Sequence, residues 1–127
     1  MVGVVLVSHS PRLAAGVAEL LDQLVGDTVR VRCAAGTSDG RLGTSVDLVV
    51  QAVRDADAGQ GVVLLPDLGS AVMACRLALE EADPDRTVLV DAPFVEGAVA
   101  AVVTASTGAE LGAVVTAAEQ ARVAAKL

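Results

Sequence analysis

The stretch Val4-Val5-Leu6-Val7-Ser8-His9-Ser10-Pro11 decides the fold, because four apolar residues are followed at once by polar ones. A short, continuously apolar run is typical of a strand buried on both faces, as in parallel sheets. Pro11 suits the first turn of a helix, with Ser10 as its N-cap. Apolar residues then recur at helical spacing before Gly26 supplies a stop; they are Leu13, Val17, Leu20, Leu21 and Leu24.

Strands and helices alternate along the rest of the chain. Further strands are predicted at 28–33, 62–65 and 87–90. A second helix is predicted to begin at Thr44 or Ser45, and three more are predicted at 71–82, 95–105 and 109–125. This alternation predicts right-handed βαβ crossovers and a parallel sheet. The second strand alternates apolar and charged residues, which favours an edge position. We therefore expect a doubly wound, flavodoxin-like α/β fold of order 2-1-3-4 with helices on both faces.

Composition limits the classes of function. The 127 residues are 54% hydrophobic with a formal net charge of −7, and Phe94 is the one aromatic residue. The length predicts a single domain over 1–127. An acidic surface makes nucleic acid and anionic membranes poor candidate partners, and the lack of aromatic residues removes the stacking platforms of a single-strand nucleic-acid binder. No apolar stretch approaches the roughly 20 residues of a membrane span, and no signal segment is present, so we expect a cytoplasmic protein.

Two cysteines, Cys33 and Cys75, lie far apart in the sequence, with no clustered histidine. We expect both to be small buried hydrophobic residues in a reducing cytosol. One histidine and two distant cysteines also predict no zinc site.

The most informative residues follow the first and third strands. In the order 2-1-3-4, ligands bind between these strands, outside their carboxyl ends. His9, the only histidine in the chain, follows the first strand, and Asp67 follows the third. A neutral imidazole is a nucleophile, and the amides of the following helix would receive phosphate oxygens. The sequence therefore indicates a nucleophilic histidine.

Several side chains near this point allow two interpretations. Asp67 either orients the imidazole and fixes its tautomer or caps the third helix, for which Gly69 and Ser70 are competing caps. Ser70 and the pair Thr44-Ser45 are helix caps that could also contact a phosphoryl group. Arg12 and Arg41 flank the predicted site, either paired with phosphate or solvated. Glu96 complements the dipole of the fourth helix.

Other phosphate-handling classes lack their required residues. The chain has no GxxxxGK[ST] and no GxGxxG, which excludes a P-loop and a dinucleotide fingerprint. A response-regulator receiver shares the topology, but it needs an acidic cluster after the first strand and a lysine in the site. Here the first strand ends in Ser-His-Ser, and the only lysine is Lys126.

Four motifs in register carry a resemblance to a known family. They are Val7-Ser8-His9-Ser10, Asp39-Gly40-Arg41-Leu42-Gly43-Thr44-Ser45, Asp67-Leu68-Gly69-Ser70-Ala71-Val72-Met73 and Ala92-Pro93-Phe94-Val95-Glu96-Gly97-Ala98. The first resembles the mannose-type EIIA domains of the phosphoenolpyruvate:sugar phosphotransferase system (PTS). Together the motifs are similar to the DhaM family, the phosphoryl-donor subunits of PTS-dependent dihydroxyacetone kinases.

This resemblance implies a phosphotransferase with a phosphohistidine intermediate. His9 would accept a phosphoryl group on Nε2 from HPr and pass it to ADP bound in DhaL, for phosphorylation of dihydroxyacetone held by DhaK. No cofactor would bind this chain, because ADP and Mg²⁺ belong to DhaL. The resemblance implies a homodimer, and Asp67 matches the carboxylate that contacts the histidine. Phosphate contacts would come from the surrounding residues Ser10, Thr44, Ser45, Gly69 and Ser70.

The chain departs from the family pattern at two points. Some members carry fused HPr and enzyme I-like domains, whereas this sequence ends at Leu127 with neither, which implies a separate HPr unless it is a piece of a longer protein. Ala74 stands where many relatives have asparagine. Two alternatives remain: the EIIA component of a mannose-type sugar transporter, and a regulatory module of the same fold that responds to its own phosphorylation. Neighbouring genes would distinguish them.

Overall fold

The structure, a computed structural model, describes residues 1–127. Four strands alternate with four helices, and a fifth helix ends the fold. The elements are β1 (Gly3–Ser8), α1 (Pro11–Val25), β2 (Val31–Ala35), α2 (Val46–Ala56), β3 (Val62–Pro66), α3 (Gly69–Leu79), β4 (Thr87–Leu89), α4 (Phe94–Ser106) and α5 (Leu111–Gln120). None of the helices combines the length and the apolarity that a membrane crossing requires.

The sheet is entirely parallel, with the order β2-β1-β3-β4. This confirms the predicted doubly wound topology and the edge position of β2. The β1 strand lies between β2 and β3, and all six of its residues are buried. Its carboxyl end therefore lies at the point where the strand order reverses.

Both faces of the sheet are covered, as the continuous apolar strands require. Along β1, Val4 and Leu6 face a core formed with α1, α4 and α5. Val5 and Val7 face the opposite core, formed with α2 and α3. Successive side chains of a strand point to opposite faces, so an unbroken apolar run serves two cores at once.

Helix α1 begins and ends as its sequence predicts. The Ser10 side chain accepts a hydrogen bond from the Leu13 amide (3.2 Å), and Pro11 occupies the first turn. Gly26 ends the helix with a φ of 59°, which glycine adopts without strain. The leucine pattern is only partly buried: Val17 and Leu21 pack inside, whereas three leucines remain 40–51% exposed, namely Leu13, Leu20 and Leu24.

Some predicted limits and one predicted burial are wrong. Strand β2 is Val31–Ala35, later than the predicted 28–33, and α3 begins at Gly69 instead of 71. Helix α5 ends at Gln120, five residues before its predicted end. Cys75 is buried as expected, but Cys33 is exposed. Cys33 lies on the edge strand, where the covering layers end, and Ala34 is the one buried residue of that strand.

An ion pair joins two loops at the amino end of the sheet, opposite the end that carries His9. Arg86 Nη2 donates to both carboxylate oxygens of Asp57, each at 2.8 Å. The amide of Gly59 also donates to Asp57 (2.8 Å). The hydrogen bonds from Arg86 hold the pKa of Asp57 below its usual range, against the opposing effect of burial. The pair connects the segments that lead into β3 and β4.

We expect this pair to make folding sensitive to acid. A carboxyl whose folded pKa is depressed stabilises the fold above its unfolded pKa of about 3.9 and loses that contribution as the pH falls through the folded value. When urea unfolding is measured from pH 7 downwards, the urea concentration at the midpoint should therefore decrease once the pH falls below about 4. The Arg86→Met variant should lose less stability on acidification than the wild type.

The matched control is Arg122→Met, which removes an exposed pair with Asp91 at 3.5 Å. Exposed pairs contribute little, so its acid profile should follow that of the wild type. Parallel profiles for all three proteins would show that the Asp57–Arg86 pair does not carry the acid dependence.

Candidate active site

The register of β1 and β3 brings His9 and Asp67 together. Val7 lies opposite Pro66, and the Asp67 amide donates to the Val7 carbonyl (3.0 Å). The residues that leave the two strands therefore meet at the carboxyl edge of the sheet. This confirms the predicted proximity of the histidine and the carboxylate.

Four donors surround the Asp67 carboxylate. Oδ1 lies 2.9 Å from Nδ1 of His9 and accepts from the Leu68 amide (2.6 Å). Oδ2 accepts from the Ser8 hydroxyl (2.8 Å) and from the His9 amide (3.1 Å). The Asp67 side chain is only 7% exposed, against 28% for His9. The carboxylate is thus enclosed, while the imidazole reaches the surface.

These contacts determine the charge of Asp67 and the tautomer of His9. Burial raises the pKa of Asp67, but the hydrogen bonds from the Ser8 hydroxyl, the His9 ring and the two amides outweigh it and hold the pKa below its usual range. A carboxylate only accepts hydrogen bonds, so Nδ1 of His9 must donate. In the neutral ring, Nε2 therefore carries the lone pair.

The structure also decides between the two interpretations of Asp67. The N-cap of α3 is Leu68, and no side chain makes a capping hydrogen bond there. Asp67 therefore does not cap α3, because both of its oxygens face the β1–α1 turn and the Leu68 amide.

The second nitrogen of the imidazole, Nε2, lies at the start of α3. Nε2 of His9 is in hydrogen-bond contact with Oγ of Ser70, and Ser70 is exposed. With the lone pair on Nε2, the hydroxyl is the donor. The first amides of α3, those of Gly69, Ser70 and Ala71, have no intrahelical acceptor and no cap. Such amides, together with the helix dipole, favour an anion beside Nε2.

Two of the remaining predicted phosphate ligands, Ser10 and Ser45, are helix caps. The hydroxyls of Ser10 and Ser45 accept from the amides of Leu13 (3.2 Å) and Leu48 (3.3 Å). Ser45 and not Thr44 is therefore the cap of α2. The loop before them is tied to the site, because the Gly43 amide donates to the His9 carbonyl (3.0 Å). Thr44 is half-buried and has no side-chain hydrogen bond to His9 or Asp67.

The two flanking arginines lie at the surface. Arg41 is 84% exposed and pairs with Asp39 at 3.2 Å, while Arg12 is exposed and has no ion pair. Glu96 lies in the first turn of α4, as predicted, and pairs with Lys126 at 3.2 Å. Nowhere in the chain do three or more His, Cys, Asp or Glu side chains come together in a way that could hold a metal ion.

Ser8 is the residue of the site that sequence reasoning missed. It is fully buried, it donates to Asp67, and its oxygen accepts from the Ser10 amide (3.0 Å). A signal was present, since Ser8 is a polar residue at the end of an otherwise apolar strand. Buried polar side chains of this kind nearly always have a defined hydrogen-bond partner.

Comparison with known proteins gives a consistent family. The family model EIIA-man, described as the PTS system fructose IIA component, matches residues 3–115. The DhaM phosphoryl donor subunit of PEP-dependent dihydroxyacetone kinase 2 from Listeria innocua is 38% identical, covering 81% of this chain and 85% of the relative. A crystal structure of a protein of unknown function, EF1359, is 31% identical with a TM-score of 0.79 and covers 94% of this chain and 95% of that one.

With this match over most of its length, the chain belongs to the EIIA-man family of the phosphotransferase system. Within that family it belongs with DhaM, the phosphoryl donor subunits of PEP-dependent dihydroxyacetone kinase. The sequence resemblance to DhaM is thereby confirmed.

Relatives in this family differ in length. The DhaM subunit from Escherichia coli is 38% identical over 91% of this chain, but the match covers only 26% of that relative. The chain thus spans about a quarter of the length of such relatives and most of the length of the Listeria protein.

The geometry of Asp67 predicts the tautomer of His9. Nitrogen NMR of the neutral imidazole should show the proton on Nδ1, and the assignment is direct because the chain has one histidine. In Asp67→Asn the amide can turn its NH₂ group towards Nδ1, so the population should move towards the Nε2–H form.

Asp91→Asn is the matched control, because Asp91 follows β4 much as Asp67 follows β3 and is 80% exposed. It should leave the ring signals unchanged. Wild-type protein with its proton mainly on Nε2 would contradict the deduced role of the carboxylate.

Proposed function

We propose that His9 carries a phosphoryl group between the phosphohistidine of HPr and ADP bound in a DhaL partner, in the phosphorylation of dihydroxyacetone. One observation carries the proposal: the buried Asp67 carboxylate holds Nδ1 of the partly exposed His9 ring, so the lone pair of the neutral ring lies on Nε2. Membership of the DhaM family supports the choice of reaction.

In the first step, Nε2 of His9 attacks the phosphorus of the donor phosphohistidine. The new N–P bond forms as the N–P bond of the donor breaks, and the donor imidazole leaves with the electron pair. The proton on Nδ1 of His9 stays in place, so the phosphorylated ring is an imidazolium. Asp67 lies 2.9 Å from that nitrogen and compensates the positive charge that develops.

The phosphoryl oxygens would lie at the start of α3. The amides of Gly69 and Ser70 open this helix without a side-chain cap, and the Ser70 hydroxyl, which contacts Nε2 in the free protein, can rotate and donate to an oxygen. On the other side of His9, the hydrogen bond from the Gly43 amide to the His9 carbonyl holds the loop that ends in Thr44 and Ser45 close to the site. Ser10 contributes through the first turn of α1, which its hydroxyl caps.

In the second step, an oxygen of the β-phosphate of ADP attacks the phosphorus, the P–N bond breaks, and His9 returns to its neutral form. ADP and Mg²⁺ are held by DhaL, and dihydroxyacetone by DhaK, so this chain needs no cofactor of its own. We place the protein in the cytoplasm as a homodimer, with HPr acting either as a separate protein or as a fused domain.

Intact-mass analysis tests this proposal directly. Incubation with phosphoenolpyruvate, enzyme I and HPr should add one acid-labile phosphoryl group, and later addition of DhaL–ADP should remove it. His9→Gln should gain no phosphoryl group, because the amide has no nucleophilic nitrogen. Melting temperatures would show that this variant is folded.

The outcomes separate the candidate functions. A phosphoryl group that DhaL–ADP cannot discharge would contradict the dihydroxyacetone route and favour a sugar transporter or a regulatory module. Phosphorylation of the His9→Gln variant would contradict the assignment of the nucleophile.

A further inference from the structure

We propose that Ser8 is a positioning residue that aims the Asp67 carboxylate at the His9 ring, an inference that rests on the function proposed above. The three side chains form a chain of hydrogen bonds at the end of β1 and β3. The Ser8 hydroxyl contacts Oδ2 of Asp67 at 2.8 Å, and Oδ1 of the same carboxylate contacts Nδ1 of His9 at 2.9 Å.

The direction of the Ser8 hydroxyl is determined by its surroundings. Its oxygen accepts the Ser10 amide proton (3.0 Å), so its own hydrogen is free to point at Oδ2 of Asp67. Ser8 has no solvent exposure. Bulk water therefore cannot take the place of the hydroxyl, and loss of the bond would leave the carboxylate oxygen with an unmet acceptor site.

The second anchor of Oδ2 is weaker. Besides Ser8, this oxygen accepts only the His9 amide, at the longer distance of 3.1 Å. Because a carboxylate is planar, the position of Oδ2 also sets the position of Oδ1. Together with the Leu68 amide, which donates to Oδ1 (2.6 Å), Ser8 thus helps to set how Oδ1 faces the imidazole, without touching the ring itself.

The effect of Ser8 should appear mainly in the chemical step. Positive charge develops on the imidazole only as the phosphoryl group arrives. A carboxylate out of alignment therefore stabilises the transition state less than an aligned one does, whereas the binding of phospho-HPr is hardly affected. Removal of the hydroxyl should lower kcat for phosphorylation and leave KM for phospho-HPr nearly unchanged. A residue that only filled space in the turn would instead change stability.

The chain offers a matched control. Thr87, at the amino end of β4, is the other buried polar residue and lies at the opposite end of the sheet from His9. Thr87→Val removes a buried hydroxyl from the same fold without disturbing the site. It should retain the wild-type tautomer of His9 and the wild-type kcat.

The experiment combines nitrogen NMR of the single histidine with steady-state phosphorylation by phospho-HPr. In Ser8→Ala we expect a smaller share of the Nδ1–H tautomer and a kcat lowered about tenfold, the low end for loss of a hydrogen bond to a charged group. Ser8→Thr, which keeps the hydroxyl, should recover most of both. Should Ser8→Ala fold poorly, Ser8→Cys retains the shape with a weaker donor and should shift both in the same direction.

The two proposals can fail separately. If the wild type never gains a phosphoryl group, the proposed function is wrong, whatever the tautomer measurements show. If Ser8→Ala is phosphorylated with an unchanged kcat and an unchanged tautomer, the positioning role of Ser8 is overturned and the function of His9 stands.

Discussion

The pairing of β1 with β3 is the constraint on which the site depends. Val7 lies opposite Pro66, so the turn after one strand faces the turn after the other. A shift of one residue would move each β3 side chain to the opposite core and disturb the packing of both, because side chains alternate along a strand. The burial of these valines and leucines therefore fixes the strand register, and the register sets the distance between His9 and Asp67.

Within that frame, a single carboxylate connects the fold to the chemistry. Asp67 accepts hydrogen bonds from the amides of His9 and Leu68 and from the hydroxyl of Ser8, and these bonds hold the two turns together. The same contacts keep it ionised although it is nearly enclosed. A buried charge is costly unless it is hydrogen-bonded, and here each donor that lowers the cost also orients the group towards the imidazole.

Relatives of this chain differ in how much of their own length it matches. The match to the E. coli DhaM subunit covers nearly all of this chain but a quarter of that relative, whereas the Listeria subunit is matched over most of its length. His9, Asp67 and Ser70 all lie within residues 3–115, the part that the family model matches. For the phosphoryl transfer that we propose, a histidine needs few neighbours, because positioning and charge stabilisation provide most of the effect.

Local patterns in the sequence determined the elements, their order and the place of the site. Each of these signals is contained in a few consecutive residues: the apolar run of β1, the Ser10 cap and the charged alternation of β2. Together they sufficed to predict that His9 lies beside Asp67. The tertiary structure alone decided that Asp67 faces the ring instead of capping α3, that Ser8 is its anchor and that Cys33 is exposed. These depend on hydrogen bonds and burial between residues far apart in the chain, such as Ser8 and Asp67 with a sequence separation of 59, and no local pattern encodes them.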